Sequence, residues 1–158
     1  MGYNREGGVS PIVVVVDDDL AAGIVESFLR SAGYPVVRAQ HAAQGLTLAT
    51  RHQARVVVLD LNNSHRTGLE VIRLLRSGKG RGLRVLALTV QTRAGLEEEA
   101  RAAGADGFLT RPFHPGDLIE SVARLYSAQG EAPVVHPRAG IALLTPYARG
   151  PEPPAIAA

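Results

Sequence analysis

The chain has 158 residues and a formal net charge of +2, and 46% of its residues are apolar, as expected for a globular protein of about one domain. It has no cysteine, which excludes disulfides and thiolate chemistry. Basic residues are interspersed with acidic ones, so we expect no direct nucleic-acid binding. The apolar stretches are too short to cross a membrane and no signal-peptide pattern is present, so a cytoplasmic protein is expected.

The apolar pattern alternates between strand and helix along the chain. Short β-branched runs predict five strands, at residues 11–16, 35–38, 55–59, 84–89 and 107–109. Apolar residues at helical spacing predict five helices, over 20–29, 41–52, 69–76, 94–103 and 118–126. Short connections between such elements predict a parallel sheet with helices on both faces.

Two segments of this pattern have weak signals. The fourth helix has a thin apolar face, made of Leu96 and alanines, which predicts loose packing. The glycine-rich segment 78–82 lacks the Gly-Lys-Ser/Thr ending of a phosphate-binding loop, and we expect a flexible loop there.

The composition changes after Ser127. Six of the ten prolines fall between residues 133 and 154, and no periodicity accompanies them. We therefore expect a flexible N-terminus at 1–10, one domain at 11–127 and a disordered Pro-rich tail at 128–158. The tail is too short for an output domain, although two apolar patches in it offer contacts with a partner or with the domain.

Acidic residues follow two of the predicted strands. Asp17, Asp18 and Asp19 come after the first strand, and Asp60 ends the third. Carboxyl ends of parallel strands meet at one edge of a sheet, where open α/β folds bind ligands. Taken alone, an acidic triplet is more often a helix cap, but the second strand end favours a site for Mg²⁺, which prefers oxygen ligands.

Four ordered motifs carry a family resemblance. They are Val-Val-Val-Val-Asp-Asp-Asp-Leu, Val-Leu-Asp-Leu-Asn-Asn followed by Gly-Leu-Glu-Val, Leu-Ala-Leu-Thr-Val, and Gly-Ala-Asp-Gly-Phe-Leu-Thr-Arg-Pro-Phe. Together they resemble the receiver domain of bacterial response regulators, over about residues 11–127. The resemblance implies a flavodoxin-like doubly wound fold with strand order 2-1-3-4-5 and five helices.

The resemblance assigns roles to the acidic residues. Asp60 is the expected phosphoacceptor, attacking the phosphoryl group of a phosphohistidine. Asp18, Asp60 and the backbone carbonyl of Asn62 are expected to bind Mg²⁺ directly, and Asp17 through a water molecule. Asp19 is expected to be a helix N-cap or a flanking acid.

The resemblance also identifies switch residues and one departure. Thr89 is expected to donate its hydroxyl to a phosphoryl oxygen, and Phe108 stands at the aromatic switch position. Arg111 stands before Pro112 where the family carries lysine, and it is expected to contact the phosphoryl group or to pair with Asp18 or Asp60 at rest. The Arg111–Pro112 bond resembles one that is cis in the family.

Two functions follow from this resemblance. The first is a phosphoacceptor response regulator of a two-component system, which is not an enzyme and signals through protein contacts. Its partners would be a histidine kinase or phosphotransfer protein and a downstream protein, with homodimerisation left open. The alternative is a pseudo-receiver, the same fold used as an interaction module without phosphorylation. Retained Asp17, Asp18, Asp60 and Thr89 favour the first function, and Arg111 favours the second.

Overall fold

The computed structural model describes residues 10–16, 18–62, 68–90 and 93–127. Its strands are β1 (Ile12–Val15), β2 (Val36–Ala39), β3 (Val56–Asp60), β4 (Arg84–Thr89) and β5 (Gly107–Thr110). Its helices are α1 (Asp19–Ser31), α2 (Ala42–His52), α3 (Gly68–Ser77), α4 (Leu96–Ala103) and α5 (Pro115–Ser127). The predicted tail, at 128–158, and residues 1–9 of the predicted flexible N-terminus lie outside the described residues, whereas Ser10 is described and buried.

The strands form one parallel sheet in the order β2-β1-β3-β4-β5. This is the flavodoxin-like order that the sequence resemblance implies, so the predicted fold is confirmed. The order reverses between β1 and β3, because β2 lies on one side of β1 and β4 lies on the far side of β3. Ligand sites in such sheets lie at this reversal, beyond the carboxyl ends of the strands.

Alternate residues of each strand supply two hydrophobic cores. Ile12, Val14 and Val16 face α1 and α5, and Val13 and Val15 face α2, α3 and α4. β1 and β3 are fully buried, which explains why their sequences are continuous apolar runs without polar alternation. The carboxyl ends of these two strands are therefore fixed by a hydrophobic core on each face of the sheet.

The N-terminus of α1 shows which of the consecutive aspartates caps the helix. Asp18 is the N-cap of α1, with its Oδ1 accepting a hydrogen bond of 2.9 Å from the backbone N–H of Ala21. Asp19 is the first helical residue, and its carboxylate pairs with Arg38 at 3.0 Å. Of the two roles expected for Asp19, N-cap or flanking acid, the structure shows the flanking acid, because Asp18 is the N-cap.

Helix α4 buries few residues, but its C-terminal end is held by hydrogen bonds from Arg76. As the sequence predicts, only Leu96, Ala100 and Ala103 of α4 are buried. The segment expected to be a flexible loop contains a 3₁₀ turn at Lys79–Gly82. Arg76 explains this turn and the helix end together, since its guanidinium donates to the carbonyls of Gly80, Leu83 and Gly104.

Candidate functional site

The carboxylate of Asp60 is the centre of the site. Asp60 ends β3 beside Leu88 of β4, and the residue is only 4% exposed. Its Oδ1 accepts a hydrogen bond of 2.8 Å from the backbone N–H of Asn62, and its Oδ2 accepts one of 2.6 Å from Nη2 of Arg111. A buried carboxylate is stable only when it is paired, and here each oxygen has a donor.

Arg111 reaches Asp60 from the turn that follows β5. Its backbone N–H donates to the carbonyl of Thr89 at 2.7 Å, which fixes the start of this turn against the end of β4. The Arg111–Pro112 peptide bond is cis, as the resemblance implies. The side chains of Arg111 and Asp60 are 21% and 6% exposed, so the ion pair is largely shielded from water. Of the two resting partners expected for Arg111, the structure places it on Asp60.

Thr89 and Phe108 lie on the two strands beyond β3. Thr89 ends β4, is completely buried and stands opposite Thr110 of β5. Phe108 stands opposite Ala87, and its partly buried ring packs against the core on the side of α2, α3 and α4. Thr89 and Asp60 therefore share the carboxyl edge of the sheet, and Phe108 lies two residues before the end of β5.

The acidic residues after β1 are only partly described. Asp18 lies on the exposed rim, with one carboxylate oxygen engaged in capping α1. Asp17 lies outside the described residues. Within the described ranges no group of three or more His, Cys, Asp or Glu side chains forms a metal cluster. Asp18 nevertheless lies beyond the end of β1, and Asp60 ends the adjacent parallel strand β3, in a register that pairs Val15 with Leu59.

Two buried donors beside Asp60 could not be predicted from the sequence. Nδ2 of Asn62 and Nε of Arg111 are shielded from solvent and have no hydrogen-bond partner within the described part of the chain. Both belong to residues that already bond to the Asp60 carboxylate through another atom. Sequence reasoning selected Asn62 for its carbonyl, and no sequence signal identifies its amide as unpaired.

Comparison with known proteins identifies the family. Residues 12–123 match the response regulator receiver domain, and the chain belongs to this family. The cell cycle response regulator CtrA of Brucella ovis is 30% identical over 113 residues, which are 70% of this chain and 47% of CtrA. This chain therefore matches about half the length of that relative.

Solved structures give the same result. Chemotaxis protein CheY4 of Vibrio cholerae superposes with a TM-score of 0.67 at 28% identity, covering 73% of this chain and 98% of CheY4. The receiver domain of sensor histidine kinase PA1611 from Pseudomonas aeruginosa, which has a magnesium ion in its active-site cleft, gives a TM-score of 0.67 at 26% identity and covers 74% of this chain and 97% of that domain. No helix among the described residues is long and apolar enough to span a bilayer.

Proposed function

We propose that this chain is a phosphoacceptor response regulator of a two-component system, with Asp60 as the acceptor. The observation that carries the proposal is a buried carboxylate at the end of β3 with a cation and a backbone N–H already on its oxygens. A cation beside the carboxylate offsets the charge of an incoming phosphoryl group. The same donors orient the carboxylate for attack.

The proposed transfer is a substitution at phosphorus. One oxygen of Asp60 forms a bond to phosphorus while the bond between phosphorus and the donor nitrogen of a phosphohistidine breaks. The histidine keeps the electron pair of that bond and takes up a proton from water, and Asp60 becomes a mixed anhydride of carboxylic and phosphoric acid. The phosphoryl group then stays on the protein as a signal, so the role is signalling and not turnover of a substrate.

The oxygen donors in the site suit a magnesium ion. Asp18 has one carboxylate oxygen outside its helix-capping bond, and Asp60 and the backbone carbonyl of Asn62 supply further hard ligands, with Asp17 acting through water. Bound Mg²⁺ would neutralise charge on the phosphoryl oxygens during transfer. Arg111 already occupies Oδ2 of Asp60 at 2.6 Å, so these residues must hold the ion beside a resident cation.

Thr89 and Phe108 are the proposed relay from the site to the surface. The hydroxyl of Thr89, at the buried end of β4, would donate to a phosphoryl oxygen on Asp60. Phe108 lies on the neighbouring strand and packs towards the thin core face under α4. A small shift of Thr89 would therefore change the packing of Phe108 and α4. Such a shift alters signalling only if phosphorylation stabilises the shifted arrangement of Thr89, Phe108 and α4 relative to the resting one.

The proposed partners follow from this chemistry. A histidine kinase or a phosphotransfer protein supplies the phosphoryl group in the cytoplasm, and a downstream protein binds the surface of α4, β5 and α5 in one of the two states. The second candidate function is a pseudo-receiver. It is favoured by the shielded ion pair between Arg111 and Asp60, because a phosphodonor must approach a carboxylate that is already paired.

Intact-mass spectrometry after incubation with acetyl phosphate and Mg²⁺ distinguishes the two functions. We expect one added phosphoryl group on the parent protein and on Asp117→Asn, a control that changes an exposed acid at the start of α5. Asp60→Asn should gain none while keeping the parent's circular dichroism spectrum. A folded parent that gains no phosphoryl group would favour the pseudo-receiver, and equal gain by Asp60→Asn would refute the site.

A further inference from the structure

One face of α1 exposes apolar side chains to solvent. Among the described residues four large apolar side chains are exposed, and two of them, Leu20 and Ile24, lie one turn apart on this helix, 76% and 45% exposed. A groove of about 270 Å³ runs along the same face, lined by Asp19, Leu20, Gly23, Ile24, Ser27 and Phe28. Adjacent exposed apolar side chains that line a groove favour an interaction site, whereas single ones do not.

The groove has the length of a short extended segment. Gly23 adds no side chain to it, and nothing lies within 4 Å of the position that a Cβ would occupy there. Phe28 lies at the end opposite Leu20 and packs against the core that α1 shares with α5. From Leu20 to Phe28 the groove extends about 12 Å along the helix axis. Four residues of extended chain cover about 13 Å, so the groove fits an extended apolar segment of that length.

The end of α5 lies beside the end of α1. The hydroxyl of Tyr126, one residue before the end of α5, donates to the carbonyl of Ser10 at 2.8 Å. Its ring centroid is 5.6 Å from that of Tyr34, which lies three residues after α1. The chain therefore leaves the domain near the Phe28 end of the groove.

The sequence after α5 supplies a segment of the required kind. Residues 141–144 are Ile-Ala-Leu-Leu, and residues 128–140 connect them to the end of α5. The connecting residues can span as much as about 43 Å. Helices packed side by side are only about 8–10 Å apart, so the connection reaches the groove without being fully extended.

The charges at the Leu20 end of the groove agree with a segment that runs in this direction. Asp18 and Asp19 stand at the start of α1, and the side chain of Asp19 is 93% exposed although it pairs with Arg38. The first charged residue after residues 141–144 is Arg149. Exposed charges of opposite sign orient a contact more than they strengthen it.

We propose that residues 141–144 of this chain dock in the groove on α1, entering at Phe28 and running towards Leu20. The connection to α5 makes this contact intramolecular, at an effective concentration of roughly millimolar order, so a small apolar interface is sufficient to hold it. The docked segment covers the face of α1 that begins at Asp18, beside the edge of the sheet that holds Asp60, and keeps other proteins from that face. The contact does not depend on phosphorylation of Asp60.

Paramagnetic broadening in NMR locates the segment in the full chain. Because the chain has no cysteine, a spin label on Thr145→Cys marks a single position just after the segment. We expect this label to weaken the amide signals of residues 20–24 more than those of residues 25–28, and a label on Ala139→Cys to reverse that order. Signals around Leu74, an exposed leucine of α3 on the opposite face of the sheet, should keep their intensity.

Substitutions on the two sides of the contact test it directly. Ile24→Asp and Leu143→Asp should each restore the α1 signals while the circular dichroism spectrum stays that of the parent, and Leu74→Asp, the matched control, should leave the broadening unchanged. Broadening that survives both Ile24→Asp and Leu143→Asp would overturn the proposal.

A mixed sample separates the other occupants of the groove. It combines ¹⁵N-labelled chain without a spin label and unlabelled chain with one, and we expect no broadening of the α1 signals in it. Broadening in this mixture would assign the groove to a second copy of the chain. Full α1 intensity in the spin-labelled full chain would leave the groove to a different protein, and either result would overturn the proposal.

Discussion

Replacing Arg76 should destabilise the fold more than replacing any exposed arginine. Its Nε and Nη2 donate to the carbonyl of Gly104 at 2.9 and 2.7 Å, and Nη2 also pairs with Asp106 at 2.5 Å. Nη1 donates to the carbonyls of Gly80 and Leu83. One side chain thus joins the end of α3, the 3₁₀ turn, and the segment between α4 and β5.

The size of the effect follows from these contacts. Hydrogen bonds from a charged donor contribute roughly 1.5–3 kcal/mol each, but bonds from one side chain do not add. The side chains of Arg76 and Asp106 are 23% and 21% exposed, so water replaces part of what is lost. Without Arg76, Asp106 would still accept hydrogen bonds from Arg84 at 3.2 Å and from the backbone N–H of Val85 at 2.9 Å. We therefore expect Arg76→Met to lower the free energy of unfolding by about 2–4 kcal/mol.

Urea unfolding monitored by circular dichroism measures this quantity, and a thermal scan should show the melting temperature falling by about 10 °C. Arg124→Met is the matched control, because Arg124 pairs with Glu120 at the surface with side chains 73% and 69% exposed. Its cost should stay below about 0.5 kcal/mol. If Arg76→Met lowers the free energy of unfolding no more than Arg124→Met does, at an unchanged denaturant slope, the hydrogen bonds of Arg76 do not stabilise the fold.

Four other substitutions have defined outcomes in the same unfolding assay. Tyr126→Phe should cost about 1 kcal/mol, because the buried carbonyl of Ser10 loses the hydroxyl that donates to it at 2.8 Å; no change would mean that the bond contributes nothing. Burial, and then the charge of Tyr126, raise the pKa of Tyr34 above 10.0. The stability that this shift adds is therefore fully present below pH 10 and is lost as the pH rises through the folded-state pKa. Tyr34→Phe should reduce this alkaline loss of stability, and an identical pH profile of the free energy of unfolding would contradict the assignment to Tyr34. Gly104→Ala should lower the free energy of unfolding by about 1–3 kcal/mol, because φ at this position is +119°. Gly23→Ala should raise it by roughly 0.5–1 kcal/mol, because Gly23 lies on α1 with open space around its Cα.

The fold was predictable because its central strands β1, β3 and β4 are buried on both faces. Continuous apolar runs such as residues 56–59 have few alternatives to a central parallel strand, and the end of each run locates a residue of the site. Asp60 was selected in this way, whereas Thr89 was selected through the family resemblance. Their neighbourhood in space follows from the strand order, which the family resemblance supplied and periodicity alone does not.

Contacts between distant charged residues were not predictable in the same way. Arg76 and Asp106 lie 30 positions apart, and the sequence marks the first only as the end of a helix. Arg111 had two acidic candidates as resting partners, and only the path of the chain after β5 selects Asp60. The helix-capping role of Asp18 was missed by one residue, since three consecutive aspartates offer the same side chain at each position.

A contact between Leu61 and Gly68 joins the end of β3 to the start of α3. The N–H of Gly68 donates to the carbonyl of Leu61 at 3.3 Å, and a Cβ on Gly68 would lie 2.4 Å from the Cα of Leu61. The residue after β3 and the first residue of α3 are thus in direct contact. Glycine at position 68 therefore lets the start of α3 approach the end of β3 more closely than any residue with a side chain would allow.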